Sequence, residues 1–296
     1  MKPTWRVGAI LNESLADTFR FVSWYLSQGA DGITLLFDDP NDPAIAALSH
    51  NPKIECISCT EKFWESLGTN QSVQFTRRQN IGLTWVYHRT QEDWLLNVDC
   101  DEFVYVEDRS IHGFLHQNCA EWDAIRIQTA EVVAPTFDHD KLVFRRPMPR
   151  DKAAFVYGTD LELFGPRRQG LIGHPIGKSF IKTGYPNLTL RQHWADRTDG
   201  TEQKSRDFDG SSGAYLLHFI GLDYEAWLQK LEWRLASRGF TTPLKMKIRN
   251  AMDGPDPAAE LREIHARLHQ VTPEVYARML EADVVLELDP NLMAEL

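Results

Sequence analysis

Two short apolar runs separated by a single helical stretch constrain this chain more than any other feature. Val7-Gly8-Ala9-Ile10-Leu11 and Ile33-Thr34-Leu35-Leu36-Phe37 are too short for helices and too uniformly apolar for strands with one wet face. Both read as strands buried on two sides, as in a parallel sheet. Between them Leu15, Phe19, Val22 and Leu26 recur at helical spacing, and Gly29 stops the helix before Asp31. Each run ends in polar residues, Asn12-Glu13 after the first and Asp38-Asp39-Pro40 after the second. Strand, helix and strand with polar tips begin an open α/β sheet, a fold that takes its ligands at the carboxyl ends of its strands.

The pattern continues less regularly. Pro43 to Leu48 allows a short helix, Ile54 to Ile57 a third strand and residues 69 to 87 a longer helix. Trp94-Leu95-Leu96-Asn97-Val98 is a further strand that runs straight into Asp99-Cys100-Asp101-Glu102-Phe103-Val104, and Ala124 to Gln128 is another. Periodicity does not order the stretch from Thr129 to Ser179. Residues 196 to 213 hold three glycines and few apolar anchors, which predicts an exposed, mobile loop. Helical patterns then cover 224–238, 243–252, 257–270 behind Pro257 and 273–282 behind Pro273. The expected organisation is a sheet-based domain over 1–222 and a helical region over 223–296.

Composition narrows the class of partner. With 43% hydrophobic and 25% charged residues the chain is expected to be ordered rather than disordered. Lys plus Arg 32 against Asp plus Glu 42 gives a net charge of -10, which argues against wrapping nucleic acid and leaves only local basic patches for an anionic ligand. No stretch of about 18 apolar residues suggests a spanning helix or a secretory signal. The four cysteines, Cys56, Cys59, Cys100 and Cys119, lack a second CxxC pair and read as reduced thiols. A cytoplasmic protein is expected, at the inner membrane face if its C-terminal helices make peripheral contact there; the polar stretch Arg249 to Asp256 favours a packed appendage. Oligomeric state is left open.

The strongest chemical signal is Asp99-Cys100-Asp101-Glu102 at the end of an apolar run. On a continuous strand residues 99 and 101 face one side, so both carboxylates would meet one crevice at the sheet edge. Carboxylates aimed at one point repel unless a positive charge lies between them. Mg²⁺ or Mn²⁺ bridging to nucleotide phosphates supplies that charge and needs few protein ligands. A solvated acidic turn is the plainer alternative, and the apolar strand immediately upstream argues against it.

The residues around this motif resemble a bacterial glycosyltransferase family of the GT-A fold, related to the broad family 2 and family 92 groups. The likeness rests on three blocks. They are Leu11-Asn12-Glu13 with Trp24-Tyr25, Gly29 to Ile33 and Phe37-Asp38-Asp39; Gln79-Asn80 ahead of Asp93 to Phe103; and Lys178 to Ile181, His193-Trp194 and Leu217-His218-Phe219 with Trp227-Leu228 and Lys230. It spans about residues 5 to 235. The resemblance implies a Rossmann-like, mostly parallel sheet with helices on both faces and a C-terminal helical extension. It also implies a metal-dependent inverting transfer of a sugar from a nucleoside-diphosphate sugar to a hydroxyl of a glycan or lipid-linked acceptor.

On that resemblance Asp101 ligates Mn²⁺ or Mg²⁺, Asp99 approaches the ribose or a metal-bound water, and His218 is a late imidazole ligand that favours Mn²⁺. Asn12, Glu13, Asp38 and Asp39 border the nucleotide. Arg77, Arg78, Lys178 and Lys182 are candidates for the phosphate side, Lys178 foremost because a fixed cation stabilises the leaving diphosphate where its charge forms. Glu131, Asp160, Glu162 and Asp209 are candidates for the base that takes the acceptor proton, with Glu131 ahead and Asp209 next. Trp122, Trp194 and Phe208 are candidates for stacking on acceptor sugars. Two other readings stay open at this point: a nucleotidyltransferase, which usually wants a Gly-rich basic loop where this chain has Leu11-Asn12-Glu13-Ser14, and a non-catalytic carbohydrate-binding or scaffold protein of polysaccharide assembly.

Overall fold

The computed structural model describes residues 2–237 and 239–293, and the chain forms two compact units. Of the described residues, the first takes in 2–128 and 176–216, the second 129–175 and 217–293. The described part of the region from 223 onward therefore shares its unit with the stretch after Gln128.

In the first unit the chain runs β1 (Trp5–Leu11), α1 (Leu15–Ser27), β2 (Gly32–Phe37), α2 (Pro43–Leu48), β3 (Ile54–Ser58), α3 (Glu61–Ser66), α4 (Phe75–Arg89), β4 (Trp94–Asn97), β5 (Glu102–Val106), α5 (Ile111–Asn118) and β6 (Ala124–Ile127). The second unit contributes β7 (Thr129–Pro135), β8 (Leu142–Arg145), α6 (Arg150–Tyr157) and α7 (Leu161–Phe164). The first unit resumes with β9 (Lys178–Lys182), β10 (Leu188–Leu190), β11 (Ala195–Arg197), β12 (Ser205–Phe208) and the beginning of β13 (Ala214–His218). The second unit ends with α8 (Tyr224–Gln229), α9 (Leu231–Ala236), α10 (Thr242–Met252), α11 (Pro257–His269), β14 (Gln270–Val271), α12 (Pro273–Glu281) and β15 (Val285–Leu288).

The first unit is an α/β structure around a mostly parallel sheet of order β12-β6-β9-β4-β1-β2-β3. Strand β1 is parallel to β2 and to β4, β2 to β3 and β12 to β6, whereas β9 is antiparallel to both its neighbours. All six residues of β2 are buried, which accounts for its unbroken apolar run. Helices cover both faces. Around Gly8 lie Leu83 and Val86 of α4, while Trp5, on the other face by strand alternation, packs edge-on against Tyr25 of α1 and His112 of α5.

Local chemistry explains where the elements depart from the sequence reading. Helix α1 buries Thr18, Phe21, Val22 and Tyr25, spaced i, i+3, i+4, i+7, and leaves Leu15 and Phe19 exposed, so its core face is rotated from the expected one. The helix expected from residue 69 starts at Phe75, because the Asn70 side chain accepts the Ser72 N–H at 3.0 Å and closes a turn first. The loop expected over 196–213 contains β12, whose register with β6 places Ser205 beside Ala124 and Phe208 beside Ile127. Phe208 anchors it in the core against Phe114. The helix expected over 224–238 is two short helices divided at Lys230.

The second unit packs its helices onto the antiparallel order β15-β8-β7, with β14 parallel to β7. Its core joins Val133, Val143, Met148, Trp227, Leu244, Ile248, Leu268 and Met279. Within it His269 is 1% exposed and its ring lies 4.5 Å, centroid to centroid, from that of His265. Burial pushes His269 well below the usual imidazole range, and the neighbouring His265 and Arg145 push the same way; burial also lowers His265. Both rings are held neutral in the fold while the unfolded chain takes up protons near 6.5. This stability is therefore complete above that pH and is lost as pH falls below it. Melting temperature should drop between about pH 6.5 and about pH 5, and His269→Gln should lose part of that slope. An identical slope in the variant contradicts the assignment.

Candidate active site at the strand ends

Parallel strands put their carboxyl ends on one sheet edge, so three polar tips converge from separate parts of the sequence. They are Asn12-Glu13 after β1, Asp38-Asp39 after β2 and Asp99 to Glu102 after β4. The order β3-β2-β1-β4 reverses direction at β1. Such a switch point opens a crevice between strand ends, here between β1 and β4, and it is where open α/β sheets bind ligands.

Strand β4 does not continue through the acidic motif. It ends at Asn97, and Cys100 and Asp101 lie in a turn closed by the Glu102 N–H donating to the Asp99 carbonyl at 3.1 Å. Strand alternation therefore does not bring Asp99 and Asp101 to one side, and the expectation built on it is corrected; a turn sets their placement instead. Asp99 and Asp101 are both half-buried. Cys100 is 6% exposed with its Sγ 3.7 Å from the Asp17 carbonyl oxygen. Burial, then the Asp101 charge, pushes that thiol far up, so it stays protonated and offers no soft ligand.

A buried lysine organises the turn. Lys178, at the start of β9 and 2% exposed, places its Nζ 2.9 Å from Asp99 Oδ2 and 3.3 Å from Glu102 Oε2. Glu102 Oε2 also accepts the Asp99 N–H at 2.8 Å. On the other side Gln79 of α4 donates from Nε2 to Asp99 Oδ1 at 2.8 Å, and Gln192 donates to Gln79 Oε1 at 3.1 Å. Burial alone would lower the Lys178 ammonium, but the Asp99 and Glu102 carboxylates outweigh it and hold the group charged well above the ordinary lysine range. The phosphate contact expected of Lys178 is thereby corrected: its ammonium is committed to protein carboxylates.

Gly177 permits this placement. Its φ is +79°, and a Cβ there would stand 1.9 Å from the Ile127 carbonyl oxygen. Gly177→Ala should destabilise the protein by about 3 kcal/mol or more, from the unfavourable φ and the backbone clash together. Denaturant titration checks this, and a loss under about 1 kcal/mol would contradict it.

Arg78 is also committed. It forms a two-pronged ion pair with Asp38, with Nη2 3.1 Å from Oδ2 and Nη1 bonded to Oδ1, and its guanidinium lies over Trp64 and Phe75. It orients Asp38 rather than reaching for phosphate, which corrects its assignment. Asn12 and Asp39 are exposed and Glu13 is half-buried. Asp209 is exposed and caps a short 3-10 turn, accepting the Ser211 N–H at 3.1 Å.

Glu131 and His218 lie in the second unit. Glu131 is fully buried and is the cross-strand partner of Arg145 in the β7–β8 pair. Its Oε2 accepts from Arg145 Nε at 3.2 Å, Arg145 Nη2 at 3.0 Å and the Ile172 N–H at 2.8 Å, and its Oε1 accepts the Gly173 N–H at 2.5 Å. A carboxylate so enclosed has no opening to an acceptor hydroxyl, so the base expected at Glu131 is corrected to a structural ion pair. His218 is half-buried with Nδ1 3.8 Å from Glu131 Oε1. Asp160 is paired with Arg267, and Glu162 lies 3.6 Å from Lys247.

Sequence reasoning did not assign Gln192 or Arg145 a role, and it counted Glu102 only as a third acid. Arg145 closes the apolar run Leu142-Val143-Phe144 and is followed at once by Arg146, so nothing local marked it as buried. Among the described residues no group of three or more His, Cys, Asp and Glu is arranged to hold a metal ion, and no helix is long and apolar enough to cross a membrane.

No family model matches the chain, and no curated protein matches it. Solved structures give weak likenesses. HddC from Yersinia pseudotuberculosis shares 10% identity over 78% of this chain and 99% of its own, with a TM-score of 0.37. The mannosyltransferase PcManGT from Pyrobaculum calidifontis, in complex with GDP-Man and Mn²⁺, shares 9% identity over 95% of this chain and 74% of its own, at 0.42. The mannosyltransferase Ktr4p from S. cerevisiae shares 7% over 45% and 40%, at 0.27.

Proposed function

We propose that the chain is a metal-dependent inverting glycosyltransferase of the GT-A type, using a nucleoside-diphosphate sugar as donor and a glycan or lipid-linked hydroxyl as acceptor. The observation that carries this reading is the carboxylate turn Asp99–Glu102 standing at the carboxyl end of β4, beside the switch point of the sheet. That is the place where such a sheet holds a nucleotide.

The donor set suits a hard cation. Asp101 brings carboxylate oxygen to the turn, and the adjacent sulfur, in Cys100, is buried and protonated. Asp101 is the residue that would hold a Mg²⁺ or Mn²⁺ ion, for which carboxylate oxygen is a preferred ligand. When bound, the ion offsets the negative charge that develops on the departing diphosphate. Asp99, held by Gln79 and Lys178, presents an oriented acceptor for a ribose hydroxyl or a metal-bound water. Asn12, Glu13 and Asp39 border the nucleotide at the neighbouring strand ends, with Asp38 fixed by Arg78. Asp209, an exposed carboxylate, is the proposed base, and Trp194, 40% exposed, an aromatic surface for a sugar ring.

A donor-hydrolysis screen tests the reading. Uridine-, guanosine- and thymidine-diphosphate sugars are incubated with the full chain, with and without Mn²⁺; the GDP-Man and Mn²⁺ held by PcManGT make a sensible first pair. Slow Mn²⁺-dependent release of one nucleoside diphosphate is expected. A flat result across all three classes of donor, with and without Mn²⁺, would remove the enzymatic reading and leave the carbohydrate-binding one.

A further inference from the structure

The first unit holds an unusual arrangement, one fully buried ammonium shared by two carboxylates that lie three residues apart on a solvent-reaching turn. Lys178 Nζ is 2.9 Å from Asp99 and 3.3 Å from Glu102, yet Lys178 is 2% exposed while the Asp99 side chain is 43% exposed. A buried lysine loses its hydration and must recover that cost from fixed partners. Here the partners belong to the turn itself, and the lysine reaches them from the neighbouring antiparallel strand, Lys178 leading β9 beside β4.

We infer that Lys178 is the internal counter-ion of the Asp99–Glu102 turn, a positioning residue that sets how much negative charge this turn presents to a divalent cation. The inference rests on the proposed role of Asp101 as cation ligand. Lys178 cancels one of the two charges that Asp99 and Glu102 bring. It also ties Asp99 Oδ2 in place while Gln79 ties Oδ1, so the turn keeps its shape when no cation is present. Too much residual charge would hold a cation tightly without donor and slow its exchange; too little would not bind it.

Charge and damage predict opposite orders, which makes the idea testable without any substrate. Mn²⁺ binding to the purified full chain, read by electron paramagnetic resonance of the free ion, is compared for four proteins. Lys178→Met leaves the turn more negative and should bind Mn²⁺ about tenfold more tightly than the parent. Glu102→Gln keeps an oxygen for the Asp99 N–H but removes a charge, and should bind about tenfold more weakly. The double variant Lys178→Met/Glu102→Gln should return to within about threefold of the parent. If Lys178 merely props the fold, both single variants weaken binding and the double is no tighter than Glu102→Gln; that order overturns the inference while the parent's own Mn²⁺ binding stands. Should Lys178→Met not fold, Glu102→Gln and the double variant decide by the same comparison. A parent protein that binds no Mn²⁺ overturns both this inference and the reading beneath it.

Discussion

Asp101→Asn should leave the fold intact and lower Mn²⁺-dependent turnover by on the order of a hundredfold or more, about 2.7 kcal/mol of transition-state stabilisation. The reason lies in the turn. Residue 101 sits in a two-residue turn between β4 and β5 that the Glu102 N–H closes through the backbone, so an isosteric amide leaves the local hydrogen bonding to the main chain in place. What changes is the charge available to a hard cation, because an amide oxygen is a weaker ligand than a carboxylate. The loss should appear chiefly in kcat, since the stabilised charge develops as the diphosphate leaves. Circular dichroism and a melting curve matching the parent, together with the turnover loss, make the assignment; an Asp101→Asn protein with parental turnover contradicts it.

The second large effect concerns stability. Removing either partner of the Glu131–Arg145 pair, as in Glu131→Ala or Arg145→Ala, should destabilise the protein by about 3–5 kcal/mol, because each leaves an uncompensated charge in the core. Glu131 is 0% exposed and Arg145 1%, so water cannot take over the lost contact. More than the pair is at stake, because Glu131 also receives the Ile172 and Gly173 N–H groups, and Arg145 Nη1 donates to the Leu268 carbonyl at 2.9 Å. Gly173 has room for no side chain there, as its Cβ would lie 2.7 Å from Glu131 Oε1. Replacing both charges with apolar residues of similar volume should recover part of the loss. Denaturant unfolding of the two single variants and the double variant measures this, and single variants within about 1 kcal/mol of the parent would contradict the assignment.

These two residues show how far the sequence could be read. The sheet was legible where burial is two-sided and uninterrupted: β1, β2 and β4 each announce themselves as apolar runs, and parallel pairing then carries Asn12, Asp38 and Asp99 to one edge. The turn at residues 100–101 was legible only as the alternative to a continuous strand, because Trp94 to Val104 contains neither glycine nor proline and the break is made by a backbone bond from Glu102 to Asp99. Lys178 was visible as a candidate cation, but its partner was not. It meets Asp99 across 79 residues, only because an antiparallel strand is inserted beside β4, and no local pattern encodes that insertion. Glu131 drew attention as an acid after the Asp99–Glu102 motif, although it is the one charge within the apolar strand β7, and only the β7–β8 register shows that Arg145, at the end of β8, is its partner. Charge inside an apolar run is a signal of pairing as readily as of catalysis.

On the proposed function, the Asp99–Glu102 turn binds a nucleoside diphosphate together with a divalent cation. Isothermal calorimetry of the full chain with uridine and guanosine diphosphates, in Mn²⁺ and again in excess chelator, measures this directly. Binding of one nucleotide in Mn²⁺ that disappears with the chelator, and is lost in Asp101→Asn, is the predicted result. Equal heats with and without the metal, or none with either nucleotide, would contradict it.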